Sequence, residues 1–156
     1  MNKKTLWIIV VIAAVVFLGV GYILVSPLFI TKEIHEGMEE IMSQAAGGAE
    51  MAVAASGSFE GLAFHNAVGT AKLIKTGDSY YVRFEDDFRV TNGPYLVVNL
   101  GKDGKRDGDA ELGRLKGNVG SQNYKIPAGL DISAYNEVWI WCKAFSVPFG
   151  KAILLP

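Results

Sequence analysis

The N-terminal part of the chain contains an uncharged apolar run that is long enough to cross a lipid bilayer. It extends from Leu6 to Val25. At ~1.5 Å per residue in a helix it spans roughly 30 Å, the thickness of the hydrocarbon core of a membrane. This run accounts for the positive mean hydropathy of the chain, +0.24. We therefore predict one transmembrane helix that contacts membrane lipid through residues 6–25.

The charges on the two sides of the apolar run predict its orientation. Lys3 and Lys4 precede it, whereas the segment behind it is rich in glutamate. The positive-inside rule then places the N-terminus in the cytoplasm and the rest of the chain outside the cell membrane. A cleaved signal peptide is the alternative, but its apolar region normally has only about 7–15 residues. The sequence from Ser26 to Ile30 is also a poor cleavage site.

The rest of the chain divides into a connecting segment and one domain. We predict a cytoplasmic tip and transmembrane helix over residues 1–26, a helical stalk and small-residue linker over 27–56, and an extracytoplasmic domain over 57–156. The stalk is predicted because apolar residues recur with helical spacing and would share one face. These residues are Ile34, Met38, Ile41 and Ala45. The stalk is either solvated or a self-association stripe, and the glycine-bearing, small-residue stretch 45–56 is predicted as the linker.

Short strand patterns separated by turns fill residues 57–156, and no long helical pattern interrupts them. One example is residues 68–74 and 79–84, which flank Thr76-Gly77-Asp78 and predict a hairpin. Residues 101–114 are charged and glycine-rich and are predicted as a loop. About seven such strands predict an all-β fold, an antiparallel β-sandwich of the jelly-roll or immunoglobulin-like kind.

The predicted strand over residues 138–144 is apolar on both faces. Its first face carries Cys142, and the alternation assigns Trp139, Trp141 and Phe145 to its second face. Such a strand is buried on both sides, or one face lines a groove. The aromatic side chains therefore either pack in the core or form a platform for a glycan or a flat cofactor.

Several sequence motifs resemble the small extracytoplasmic DM-thirteen, or "electron transfer", domain family. They occur in the family's order and cover nearly all of residues 57–154: Gly57-Ser58-Phe59 with Ala63-Phe64-His65-Asn66, Arg83-Phe84-Glu85-Asp86-Asp87-Phe88 running into Asn92-Gly93-Pro94-Tyr95, Leu115-Lys116-Gly117-Asn118 with Gln122-Asn123-Tyr124, and Trp141-Cys142-Lys143-Ala144-Phe145-Ser146-Val147. The resemblance implies a secreted or membrane-tethered β-sandwich module. It also implies a redox role centred on one cysteine, which corresponds here to Cys142.

Cys142 is the only cysteine of the chain. A lone thiol outside the cytoplasm has three possible fates: an inert core residue, a redox-active or metal-binding thiolate, or an intermolecular disulfide. His65 is the only histidine of the predicted domain. It is a candidate ligand for haem or copper, or a structural hydrogen-bonding residue. We predict Cys142 as the redox residue and Trp141, His65, Trp139 and Phe145 as binding residues, with no metal site otherwise assigned and the cofactor unknown.

Other function classes lack support in the sequence. Fifteen basic and sixteen acidic residues leave a net charge of −1, which gives no basis for binding nucleic acid. The motifs of serine hydrolases, phosphate-binding loops and zinc proteases are absent from the sequence. The acidic residues of the loop 101–114 alternate with lysine and arginine and do not have the spacing of a calcium loop. Two functions remain: electron transfer through Cys142 with an envelope partner, or a non-catalytic binding or adhesion module for a cell-envelope glycan or protein.

Overall fold

The computed structural model describes residues 2–26, 29–44 and 50–156. Helix α1, Lys3–Val25, begins at Asn2, whose side chain accepts a hydrogen bond from the amide of Lys4. By length and composition, Lys3–Ile23 can cross a membrane, and none of it is buried against the protein. An N-terminal signal sequence can have the same length and composition.

The described residues after α1 form antiparallel β-structure with one short α-helix, α2 (Met38–Gln44). The strands are β1 (Met51–Gly61), β2 (Ala67–Val68), β3 (Thr70–Thr76), β4 (Ser79–Phe84), β5 (Arg89–Val90), β6 (Leu96–Lys102), β7 (Lys105–Arg114), β8 (Gln122–Lys125), β9 (Glu137–Cys142) and β10 (Val147–Ile153). One turn of 3-10 helix, Ile132–Ala134, precedes β9. The predicted all-β antiparallel fold with one N-terminal helix is confirmed.

Eight of the strands form one sheet in the order β7-β6-β9-β10-β1-β3-β4-β8, and β2 pairs with β5. Strand β1 joins the two halves of the sheet, because its first part pairs with β3 and its last residues, Phe59 to Gly61, pair with β10. The sheet bends at β1, so that one face of each half packs against the same hydrophobic core. The rings of Phe59, Phe84 and Phe88 meet there with centroids 4.6 to 5.0 Å apart.

The segment between α1 and β1 differs from the predicted stalk and linker. Within its described part only α2 is helical, and residues 31–37 run along the domain, where Glu33 forms a parallel bridge with Val119. Residues 51–56, predicted as linker, belong to β1, and Ala45 lies outside the described residues. The small side chains of this stretch suit a strand packed closely on its neighbour: a Cβ on Gly57 would collide with the carbonyl oxygen of Ile153.

The polar contacts of Glu36 explain why residues 31–37 follow the domain. Both carboxylate oxygens of Glu36 accept hydrogen bonds from the ammonium group of Lys116 at 2.7 Å, and one also accepts from the amide of Asn123 at 2.7 Å. The guanidinium of Arg83 donates to the carbonyl of Glu36 at 3.0 Å. These partners are distant in sequence, so the local periodicity could not reveal them.

Candidate functional site

Strand β9 lies between β6 and β10 and carries most of the predicted site residues. Its register pairs Leu96 of β6 with Cys142 and Val147 of β10 with Cys142. Alternate residues of β9 therefore face opposite sides of the sheet, as in any extended strand. Cys142 lies on the side of the core, and Trp139 and Trp141 lie on the other side.

Cys142 is a free thiol that is completely buried. It belongs to the same core cluster as Val138 and Ile140, which precede it on the inner face of β9. It is also the last residue of β9, and its pairing with Val147 closes the β9–β10 hairpin next to the exposed turn 143–146. The thiol is thus enclosed by apolar side chains, but it lies at the end of a hairpin, next to a turn that is exposed to solvent.

The ammonium group of Lys143, the residue next to Cys142, forms an ion pair with a glutamate. It lies 3.0 Å from a carboxylate oxygen of Glu111 on β7, and this hydrogen bond and charge raise the pKa of Lys143. A thiolate needs a nearby cation or metal to lower its pKa. Since Lys143 is paired with Glu111, the folded hairpin does not offer this cation to the sulfur.

Trp139 is part of a closed polar network on the outer face of β9. Its indole N–H donates to the carboxylate of Glu137 at 2.9 Å, and the other oxygen of Glu137 accepts from the amide of Gly104 at 2.9 Å. The ammonium group of Lys151 lies 5.5 Å from the ring centre. Trp139 is only 7 % exposed, so its ring is a packed structural element and offers no open platform.

Trp141 is half-buried and has one face covered by the guanidinium of Arg106, 4.5 Å from the ring centre. Phe145 does not share a strand with the two tryptophans, because β9 ends at Cys142 and Phe145 lies in the following turn. There it is 65 % exposed. The prediction that these three aromatic residues line one strand face is therefore wrong, and Trp141 remains the most accessible aromatic side chain of β9.

His65 lies in the loop between β1 and β2, beside Phe149 of β10. Its imidazole stacks on Phe149 with ring centres 3.6 Å apart and an angle of 13° between the planes. Phe149 belongs to the core cluster that also contains Cys142. The stack fixes the ring of His65 and covers one of its faces.

The described residues do not gather the side chains that a metal centre needs. No group of three or more His, Cys, Asp or Glu residues is close enough to hold an ion within residues 2–26, 29–44 and 50–156. A copper site usually combines several such ligands. His65 and Cys142 therefore do not form part of a multi-ligand copper centre in this part of the chain.

Three loops at one end of the domain were not recognised as a unit from the sequence. They are residues 62–66, 91–95 and 143–146, and they contain the exposed aromatic residues Phe64, Tyr95 and Phe145. Each loop lies in one of the quoted motifs, but their spatial proximity depends on the sheet order. The only sequence feature that could have indicated this surface is the presence of aromatic residues next to turn-forming residues in each loop.

Comparison with known proteins identifies one family. The family model described as "Electron transfer DM13" matches residues 58–154, more than half of the chain. No curated protein and no solved structure matches the chain. The match covers every strand from β2 to β10 and the end of β1 from Ser58 to Gly61, so it includes Cys142, His65 and both tryptophans of β9.

Proposed function

The chain belongs to the DM13 electron-transfer family, and we propose that it is a membrane-anchored extracytoplasmic module that transfers electrons through Cys142. The observation that carries this proposal is the family match over residues 58–154, which contains a single thiol. Helix α1 supplies the anchor, with its lysines in the cytoplasm, and residues 29–156 lie outside the membrane.

The position of Cys142 at the end of a hairpin provides a way to reach the buried sulfur. Local opening costs least at strand ends next to exposed turns. Residues 143–146 are all exposed, and Ser146 has a left-handed backbone with φ of 54°. Opening of the pairs that Cys142 makes with Val147 and Leu96 would expose the thiol while the rest of β9 stays paired. We propose that the electron-transfer partner gains access to Cys142 in this opened state.

The complete burial of Cys142 favours a second candidate function. A thiol that is 0 % exposed among apolar side chains is typical of an inert core residue. In that case the domain is a binding or adhesion module for a glycan or protein of the cell envelope. Trp141 and the exposed loops would then form its contact surface.

A redox titration of the full-length chain, followed by visible absorbance and by the number of free thiols, distinguishes the two functions. For electron transfer we expect Cys142 to form a mixed disulfide with the disulfide reagent of the titration under native conditions and to return to the thiol when the reduced reagent is added. Alternatively, a bound group would give a redox-sensitive absorbance band that Cys142→Ser alters. A colourless protein whose thiol stays unoxidised until it unfolds would support the binding module. In that case Cys142→Ser should cost only stability, about 1–2 kcal/mol for a polar substitution in the core.

A further inference from the structure

The three aromatic loops occupy the end of the domain at which the chain arrives from α1. We propose that Phe64, Tyr95 and Phe145 insert into the headgroup region of the bilayer that α1 spans, so that this end of the domain lies on the membrane. The inference rests on the membrane anchor of the proposed function and goes beyond it, because an anchored domain need not touch the lipid. Its first support is that the backbone joins the three loops into one surface.

Backbone hydrogen bonds connect these loops directly. The amide of Lys143 donates to the carbonyl of Tyr95 at 2.9 Å, which joins the β9–β10 turn to the loop before β6. The amide of Thr91 donates to the carbonyl of Asn66 at 2.9 Å, which joins that loop to residues 62–66. The three aromatic residues are therefore presented on one surface by a fixed backbone, although they come from distant parts of the sequence.

The aromatic side chains of this surface are exposed to solvent. Phe64 is 110 % exposed, that is, fully solvated, and Tyr95 is 42 % exposed. Ala63 and Phe64 both have positive φ, 49° and 65°, and so does Ser146 beside Phe145. Left-handed backbone is sterically unfavourable for a residue other than glycine. Such strain persists at sites where it serves a function, and here it points apolar rings into solvent.

The covalent path from α1 limits how far this surface can lie from the membrane. Helix α1 ends at Val25, and the hydroxyl of Thr31 accepts a hydrogen bond from the side chain of Asn92 at 3.3 Å. The chain between Val25 and Thr31 can span at most ~20 Å when fully extended. Asn92 lies in the same loop as Tyr95, so this loop stays close to the lipid surface.

The contacts of residues 32–36 with the domain limit its movement away from helix α1. The carbonyl of Lys32 accepts hydrogen bonds from the amides of Asn118 and Val119, at 2.7 and 3.2 Å. Further along, Glu36 is held by Lys116 at 2.7 Å. Because residues 32–36 are bound to the domain, the three loops can move only a short distance relative to α1.

Two cations lie beside the ring of Tyr95 on this surface. The guanidinium of Arg114 lies 4.9 Å from the centre of the Tyr95 ring, and the ammonium group of Lys143 lies 5.8 Å from it. Aromatic rings with adjacent Lys or Arg are the usual anchors at a membrane interface, and anionic lipids attract the cations. Asp86 and Asp87 lie at the same end on the other half of the sheet. We therefore expect a tilted domain that presents the β6–β9–β10 side to the lipid.

Site-directed spin labelling of the full-length chain in vesicles of phosphatidylcholine and phosphatidylglycerol tests the inference. Nitroxides at Phe64→Cys and Phe145→Cys report the surface, and Leu155→Cys, an exposed site at the opposite end of β10, is the matched control. Unsubstituted protein, labelled in parallel, corrects for any label on Cys142. We expect collisions with a water-soluble nickel complex to fall several-fold at positions 64 and 145 relative to position 155, while collisions with dissolved oxygen rise.

Equal nickel accessibility at positions 64, 145 and 155 would overturn the inference and leave this surface free for a protein partner. A fourth label, at Leu18→Cys within α1, separates this result from failure of the anchor. A label at position 18 that is shielded by lipid, together with solvated loops, contradicts only the inference. A label at position 18 that is open to water contradicts the membrane anchor and the inference together.

Discussion

Cys142 is the last residue of β9 and pairs with Val147 of β10 on one side and with Leu96 of β6 on the other. Its sulfur is enclosed by the core, yet the turn beside it is exposed and contains Ser146 with φ of 54°. The burial of Cys142 could be predicted from the sequence, because Val138, Ile140 and Cys142 alternate along one face. The end of the strand at Cys142 could not, because the apolar pattern continues to Phe145 and only the turn geometry stops it.

Replacement of Ser146 by glycine should slow the reaction of Cys142 with a thiol reagent. Glycine adopts positive φ without steric cost, so Ser146→Gly stabilises the closed turn by ~1 kcal/mol and lowers the opened population up to ~5-fold. The measurement is the rate of labelling by a small disulfide reagent under native conditions. Ala63→Gly is the matched control, since Ala63 has φ of 49° in a loop outside this hairpin. An unchanged rate in Ser146→Gly would show that the thiol is not reached through the turn.

The elements that the sequence predicts well are those whose contacts are local. Strands β3 and β4 form a hairpin with Thr76 opposite Ser79, as the turn residues between them predict. Strand β7 was predicted as a loop because its charged residues and glycines conceal the alternation. In the structure this segment pairs with β6, with Val97 opposite Arg114 and Gly101 opposite Arg106. Its side chains also contact β9 and the following turn, because Arg106 covers Trp141 and Glu111 pairs with Lys143.

The segment 31–37 fails as a predicted stalk for the same physical reason. Its helical spacing of apolar residues is real, but Ile34 packs near Gly117, whereas Ile41 on α2 is buried beside Ile74 and Tyr81. The apolar positions thus contact two different surfaces of the domain. The segment is held there by Lys116, a residue 80 positions away from Glu36 in the sequence.

Substitution of Lys116 by methionine should release this segment from the domain. The variant keeps most of the side-chain volume but removes the ammonium group that neutralises Glu36, which is largely buried. Because Lys116 is partly exposed, we expect a loss of only ~1–2 kcal/mol. Hydrogen exchange should become faster at the amides of Ile34 and Glu36, which donate to Val119 and Ser121. Lys125→Met, an exposed lysine at the end of β8, is the control, and equal exchange in both variants would contradict this role of Lys116.

At the scale of the whole molecule, the chain combines a membrane-length helix with a domain of the DM13 family, and residues 31–37 between them are hydrogen-bonded to the domain. The aromatic loops and the β9–β10 turn lie at the end of the domain at which the chain arrives from α1, so the proposed membrane anchor would also bring the hairpin that encloses Cys142 close to the lipid. We expect the electron-transfer partner to be in or on the same membrane. The sequence predicts both the helix and the family, but the shared location of the loops and Cys142 depends on the sheet order.

Voltammetry of the full-length chain adsorbed in a lipid film tests the central claim most directly, with Cys142→Ala and Val138→Ala compared with the wild type. Val138 is also fully buried on the inner face of β9, so its truncation reproduces the loss of packing without removing sulfur. The account predicts a reversible wave for the wild type and for Val138→Ala that is absent or shifted in Cys142→Ala. The same wave in all three proteins, or a wild type without any wave, would contradict electron transfer through Cys142.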